Sequence, residues 1–222
     1  MNLPPSVTGL QGEPNSQQAP LVRLFMTPLK RIKVAMLITC LLPAAILVVR
    51  IVSHTAGDNP VEAITYETGD WSMILLLATL AITPIRRITG VNEVISFRRM
   101  FGLLTFFYGA LHFLTYVCLA QSLQLPRMLD DVRKRPFIVM GLCAFLLMIP
   151  LAITSNGFFI RRLGRHWTWL HRWIYAIAIV AVVHYSWMRP REAKPYLYVV
   201  LFACLLGWRA RVWALKQREY AR

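Results

Sequence analysis

Six apolar stretches joined by short polar loops leave this chain few folds open. They run roughly from Val34 to Val52, Trp71 to Ile85, Met100 to Leu119, Phe137 to Ile153, Trp167 to Trp187 and Tyr196 to Trp213. A helix needs about 20 residues to cross the hydrocarbon core of a bilayer, with about 17 as a minimum. Inside lipid it must also satisfy its own backbone polar groups. The second stretch is short unless it takes in Ile64 to Asp70. The fold class this predicts is an all-α membrane protein, a six-transmembrane-helix bundle spanning residues 30–213. A C-terminal tail at 214–222 follows it, and a polar, proline-containing N-terminal stretch at 1–29 reads as a disordered tail. The first apolar run follows Lys30, Arg31 and Lys33 with no small-residue cleavage site close behind. It reads as an uncleaved span and not a signal peptide. No internal repeat and no appended soluble domain is apparent.

Composition supports the membrane reading and disposes of one alternative. Hydrophobic residues make up 57% of the chain, and the net charge is +15. So basic a chain could bind nucleic acid, but its charges sit in clusters between apolar runs and form no continuous stripe. Basic loops flanking spans explain them better. With the N-terminus inside, the inner loops and ends hold sixteen Lys and Arg and the outer ones eight. That bias predicts both termini in the cytoplasm. Cys40, Cys118, Cys143 and Cys204 lie in or at the ends of apolar runs, with no CxxC or CxxCH spacing. They read as small buried hydrophobes, and any haem must be held without a covalent link.

Three histidines stand inside apolar segments: His112 in the third, His171 and His184 in the fifth. An ionisable residue in a membrane span is costly, so its default reading is functional. Imidazoles on facing helices can hold a haem iron between them. At about 1.5 Å per residue, His112 lies about 22 Å from the inner end of its span and His184 about 25 Å. These depths match, so the two can share one b haem near the outer face. His171 lies only about 6 Å in and cannot join them. The matching depth on the third span carries Arg98 and Arg99 and no histidine. Arginine stays protonated and is a poor iron ligand, but it partners propionates and phosphates well. The inner site therefore remains open to a weakly ligated haem, a quinone headgroup or a flavin phosphate. His171 and His184, thirteen residues apart, would point some 140° apart around an ideal helix. His166 and His54 read as solvated loop residues.

The stretch RRLGRHWTWLHRWIYAIAIVAVVHYSW, from Arg161 to Trp187, carries an LHR motif at Leu170 to Arg172, with a second histidine thirteen residues after the first. With RRMFGLLTFFYGALHFLTY from Arg98 to Tyr116, and DDVRKRPFIVMGLCAFLLMIPLAITS from Asp130 to Ser155, it resembles a known family. That family is the haem-binding membrane subunits of the bacterial periplasmic protein-methionine-sulfoxide reductase system, within the ferric-reductase-like transmembrane superfamily. The resemblance covers about Lys30 to Arg211. It implies a multi-pass protein of the bacterial inner membrane that takes electrons from the quinone pool or a cytoplasmic flavin reductase. They would pass through one or two b haems to a periplasmic molybdenum-containing subunit that reduces methionine sulfoxide in damaged proteins. The resemblance also implies FMN. Carried over to this sequence, the haem and metal residues are His112, His184 and His171, with Arg98, Arg99 and Arg172 as further cofactor-binding candidates. Where NADPH oxidases have a second histidine on the third span, this chain has Arg98 or Arg99.

Catalysis itself is expected on the partner. No glycine-rich dinucleotide fingerprint occurs, so electrons are expected to enter from another molecule. Two alternatives stay open. One is a stand-alone transmembrane cytochrome b that reduces metal ions or quinones. The other is a haem-free transporter with proton-carrying histidines, which gains little because no acidic residue is evident mid-span to pair with them.

Overall fold

The computed structural model describes residues 18–220, and among these every regular element is helical. The first helix, α1 (Gln18–Val52), starts inside the stretch expected to be a tail; residues 1–17 of that tail lie outside the described residues. The chain divides into two compact units at Cys40–Leu41, within α1. In the first unit, the helix turns outward such apolar residues as Ile32, Val34 and Ile38.

The second unit holds the rest of the helices. Helix α2 (Pro60–Thr89) shows how local sequence sets its limits. The Asn59 side chain accepts the Glu62 N–H at 3.3 Å, Pro60 takes a first-turn position that needs no N–H, and Gly90 closes the helix at φ 73°. Its 30 residues include Ile64 to Asp70, so the second apolar stretch is long enough after all. Helix α3 (Arg98–Leu114) widens into a π turn at Thr115–Ala120. The short amphipathic α4 (Leu125–Lys134) leads into α5 (Pro136–Ile153), again opened by proline.

Short helices α6 (Gly157–Leu163) and α7 (Arg165–Leu170) precede a 3₁₀ turn at His171–Trp173 and then α8 (Ile174–Met188). The fifth apolar stretch, expected as one span, is therefore divided at His171, leaving α8 with 15 residues, or about 22 Å. Helix α9 (Ala193–Tyr220) continues through most of the residues expected as a C-terminal tail.

Among the described residues five helical stretches are long and apolar enough to cross a membrane: Pro28–Val52, Pro60–Thr89, Asn92–Ala120, Pro136–Ile153 and Ala193–Glu219. Leu197, Val200 and Leu146 project outward from two of them, as lipid-facing residues do. Contrary to the expectation of burial, Cys118, Cys143 and Cys204 are exposed on the helix surfaces. Helix α2 packs along α3, α5 packs along α8, and α3 meets α5. The best-buried cluster joins α2, α8 and α9 through Leu76, Leu80, Ala178, Val182 and Phe202.

Candidate functional site

Between the α2–α3 and α5–α8 pairs lies a cavity of about 340 Å³ whose surface is mostly apolar and whose lining includes His112 and His184. That volume falls within the range of about 300–1,000 Å³ typical of cofactor sites. The two imidazoles face one another there, ring centroids 6.1 Å apart and planes at 80°.

Each ring is oriented by a backbone carbonyl. His112 Nδ1 lies 2.9 Å from the Thr65 carbonyl oxygen, and His184 Nδ1 lies 2.7 Å from that of Phe137. A carbonyl can only accept, so each Nδ1 must carry the proton and donate it. Both Nε2 atoms are left with their lone pairs beside the cavity. Carbonyl-oriented imidazoles of one tautomer are the usual arrangement behind a metal-ligating histidine.

The surroundings repeat. Thr65 and Phe137, Gly69 and Gly141, and His112 and His184 are each separated by the same interval (137 − 65, 141 − 69 and 184 − 112 all equal 72). The cavity lining follows the same offset at Asp70 and Leu142, Ser72 and Ala144, Gly109 and Ala181, and Phe113 and Tyr185. The sequence expectation of no internal repeat is thus corrected for this site. The repeat escapes reading because TYETG and FIVMG share only their glycine. What recurs is which residues face the cavity.

In the first half of α2, at Asp70, a polar cluster borders the cavity. The Tyr185 hydroxyl donates to Asp70 at 2.7 Å, while Arg189 and Lys194 approach the same carboxylate at 3.3 and 3.2 Å. Arg189 is 7% exposed, pairs with Glu192 at 3.2 Å and lies 4.1 Å from the Tyr66 ring centre. Burial works against its charge, yet Asp70, Tyr185 and Glu192 hold its pKa above the ordinary arginine value. Asp70, at the edge of the second apolar stretch in the sequence, is inside α2. An acid within a span is therefore present after all, although it pairs with tyrosine and cations. Helix α4 borders the cavity through Met128 and Val132, anchored by Asp131, which accepts from Tyr116 at 3.2 Å and from Gln121 at 2.9 Å.

His171 stands apart from the cavity, at the break before α8. The Trp167 ring is 4.0 Å away and Arg98 is its charged neighbour. Among the described residues neither of its buried ring nitrogens has a hydrogen-bond partner. Arg98 reaches Tyr175, which also accepts from Arg209, and Arg209 donates to the Leu80 carbonyl at 2.7 Å. Tyr175 and Arg209 were not among the sequence candidates; an arginine near the end of the last span was the available signal. Arg99 and Arg172 are exposed, as are His166 and His54.

The family described as "Ferric reductase like transmembrane component" matches residues 68–182. A protein of Ralstonia nicotianae is 44% identical over 189 residues, covering 83% of this chain and 86% of its own length. The chain belongs to the ferric-reductase-like transmembrane family. As in that family, it is a multi-pass membrane protein. A relative from Bordetella pertussis is 42% identical over 197 residues, 87% of this chain and 96% of its own. One from Azospira oryzae is 45% identical over 184 residues, 82% and 79%. All three carry the name protein-methionine-sulfoxide reductase heme-binding subunit MsrQ. The family match contains His112 and His171 and ends two residues before His184; its span also includes the α2 segment around Asp70.

Proposed function

We propose that this ferric-reductase-like protein is the haem-binding electron-transfer subunit of a protein-methionine-sulfoxide reductase. The observation that carries the reading is the pair of imidazoles facing one another across an apolar cavity, both with Nε2 unprotonated. The fit can be tested by distance. A metal held by both residues would require the two imidazoles to face one another closely across the cavity. The separation here is 6.1 Å. When bound between His112 and His184, haem b supplies a one-electron carrier within the membrane.

The protein's own groups do the rest. The Thr65 and Phe137 carbonyls keep protons on Nδ1 and so keep both Nε2 atoms available as ligands. The mostly apolar lining would limit the access of water to a bound haem, and Asp70 and Arg189 fix charge at the cavity's rim. The excess of basic residues in alternate loops supports a six-span topology with both termini cytoplasmic in a bacterial inner membrane. That orientation puts the His112–His184 end toward the periplasm, where electrons would pass to a molybdenum-containing reductase subunit. His171, Arg98, Arg99 and Arg172 would form the entry side, facing quinone or a cytoplasmic flavin reductase. The unpartnered nitrogens of His171 support a cofactor contact there, for a second haem or FMN.

A reduced-minus-oxidised visible spectrum of detergent-purified protein, with haem quantified per chain, tests the reading. A b-type spectrum is expected; its absence after expression with ample haem would overturn it. His171→Ala is expected to keep the His112–His184 haem spectrum unchanged while slowing reduction by quinol or flavin donors. Reduction at the normal rate would reduce His171 to a packing residue.

A further inference from the structure

We infer that Gly69 and Gly141 are positioning residues that let His112 and His184 lie against the carbonyls that orient them. In an α-helix the Cα–Cβ bond tilts toward the N-terminus, so the side chain of residue i+4 leans over the carbonyl of residue i. Thr65 is followed four residues later by Gly69, and Phe137 by Gly141. At Gly141 the imidazole occupies the space that a side chain at i+4 would take, and at Gly69 it crowds that space. A Cβ on Gly141 would lie 2.7 Å from His184 Cε1, 2.9 Å from Nδ1 and 3.1 Å from Nε2. On Gly69 it would lie 3.3 Å from His112 Nδ1 and 3.4 Å from Cε1.

Neither glycine is needed for its backbone angles, since both sit within regular helix and, among the described glycines, positive φ occurs at Gly57, Gly90 and Gly164. Their cost to helix stability relative to alanine therefore calls for another explanation. Approach of the ring supplies it. The carbonyl has two lone pairs, one for the helical N–H of residue i+4 and one for the imidazole. The histidine reaches the second only across a bare Cα. The role differs in degree between the two halves. Gly141 tolerates no methyl without displacement of His184, whereas Gly69 demands a shift of a few tenths of an ångström from His112. Gly102 supplies an internal reference: it lies in α3, and a Cβ there would meet Thr79 at an ordinary 3.8 Å.

The inference rests on the reading of His112 and His184 as haem ligands only where haem is the readout. The test uses the full-length protein with Gly141→Ala, Gly69→Ala and Gly102→Ala. Haem per chain, ferric electron paramagnetic resonance and midpoint potential are measured on each. Loss of an outer-shell partner lowers metal affinity about 10- to 100-fold, and Gly141→Ala is expected to fall in that range with an altered low-spin signal. Gly69→Ala should retain haem with a shifted signal, and Gly102→Ala should match the parent.

Histidine ¹⁵N spectra of the haem-free proteins read the same point without cofactor. The parent should show His184 protonated at Nδ1, and Gly141→Ala should lose that tautomer. Parental haem content, resonance signal and tautomer in Gly141→Ala would overturn the inference. If that variant does not accumulate, an unchanged resonance signal and unchanged His112 tautomer in Gly69→Ala would overturn it equally. A parent protein without haem would refute the ligation reading, and the tautomer comparison would still decide the role of the glycines.

Discussion

His112→Ala and His184→Ala are each expected to yield protein that folds in the membrane but carries almost no low-spin b haem. The two rings approach from opposite sides of one cavity, one held by α2 and the other by α5. Removing either leaves the metal with a single imidazole and an apolar void where the second donor stood. Disrupting an outer-shell partner already costs about 10- to 100-fold in metal affinity, so loss of a direct ligand should exceed about 100-fold. Haem titration into the purified variants measures this directly. Full haem content with an unchanged low-spin spectrum in either one would show that the pair does not ligate.

The second large effect concerns stability. Asp70→Ala is expected to destabilise the bundle by about 3 kcal/mol or more, the usual cost of breaking a buried ion pair from one side. Asp70 is 21% exposed and Arg189 only 7%, so the guanidinium would stay buried with one of its two carboxylates gone. The Tyr185 hydroxyl, immediately after His184, would lose its acceptor as well. Thermal unfolding in detergent gives the stability change, and the haem spectrum shows whether displacement of Tyr185 reaches the neighbouring ligand. A variant as stable as its parent would mean that Glu192 and the Tyr66 ring suffice for Arg189. Asp70→Asn, which retains an acceptor for Tyr185, should preserve the haem spectrum better than alanine while still weakening the bundle.

The membrane character of the chain was legible because lipid enforces a coarse rule, that a span be long and apolar. The histidine pairing was legible for a similar reason: helical rise converts residue number into depth, and His112 and His184 come out level. Rise says nothing of partners across the bundle. Asp70 fell outside the apolar stretch because a carboxylate normally marks the end of a span, and nothing local reveals that Arg189 and Lys194, more than a hundred residues on, will neutralise it. The angular problem between His171 and His184 assumed one regular helix. The structure breaks that helix with a 3₁₀ turn at His171 itself. The repeat was hidden because it conserves placement and chemistry of the backbone, not side-chain identity. Thr65 and Phe137 have nothing in common except the carbonyl they offer.

The interval of 72 residues bears on biogenesis. During synthesis α2 and α3 emerge first with one complete ligand arm, carbonyl, glycine and histidine included, but with no opposing donor. The second arm exists only after α5 and α8 have followed. A haem gripped by both arms would thus act as a late fastener joining two separately made hairpins. Its supply would control how much of the newly inserted chain matures, and how much is left open to membrane proteases.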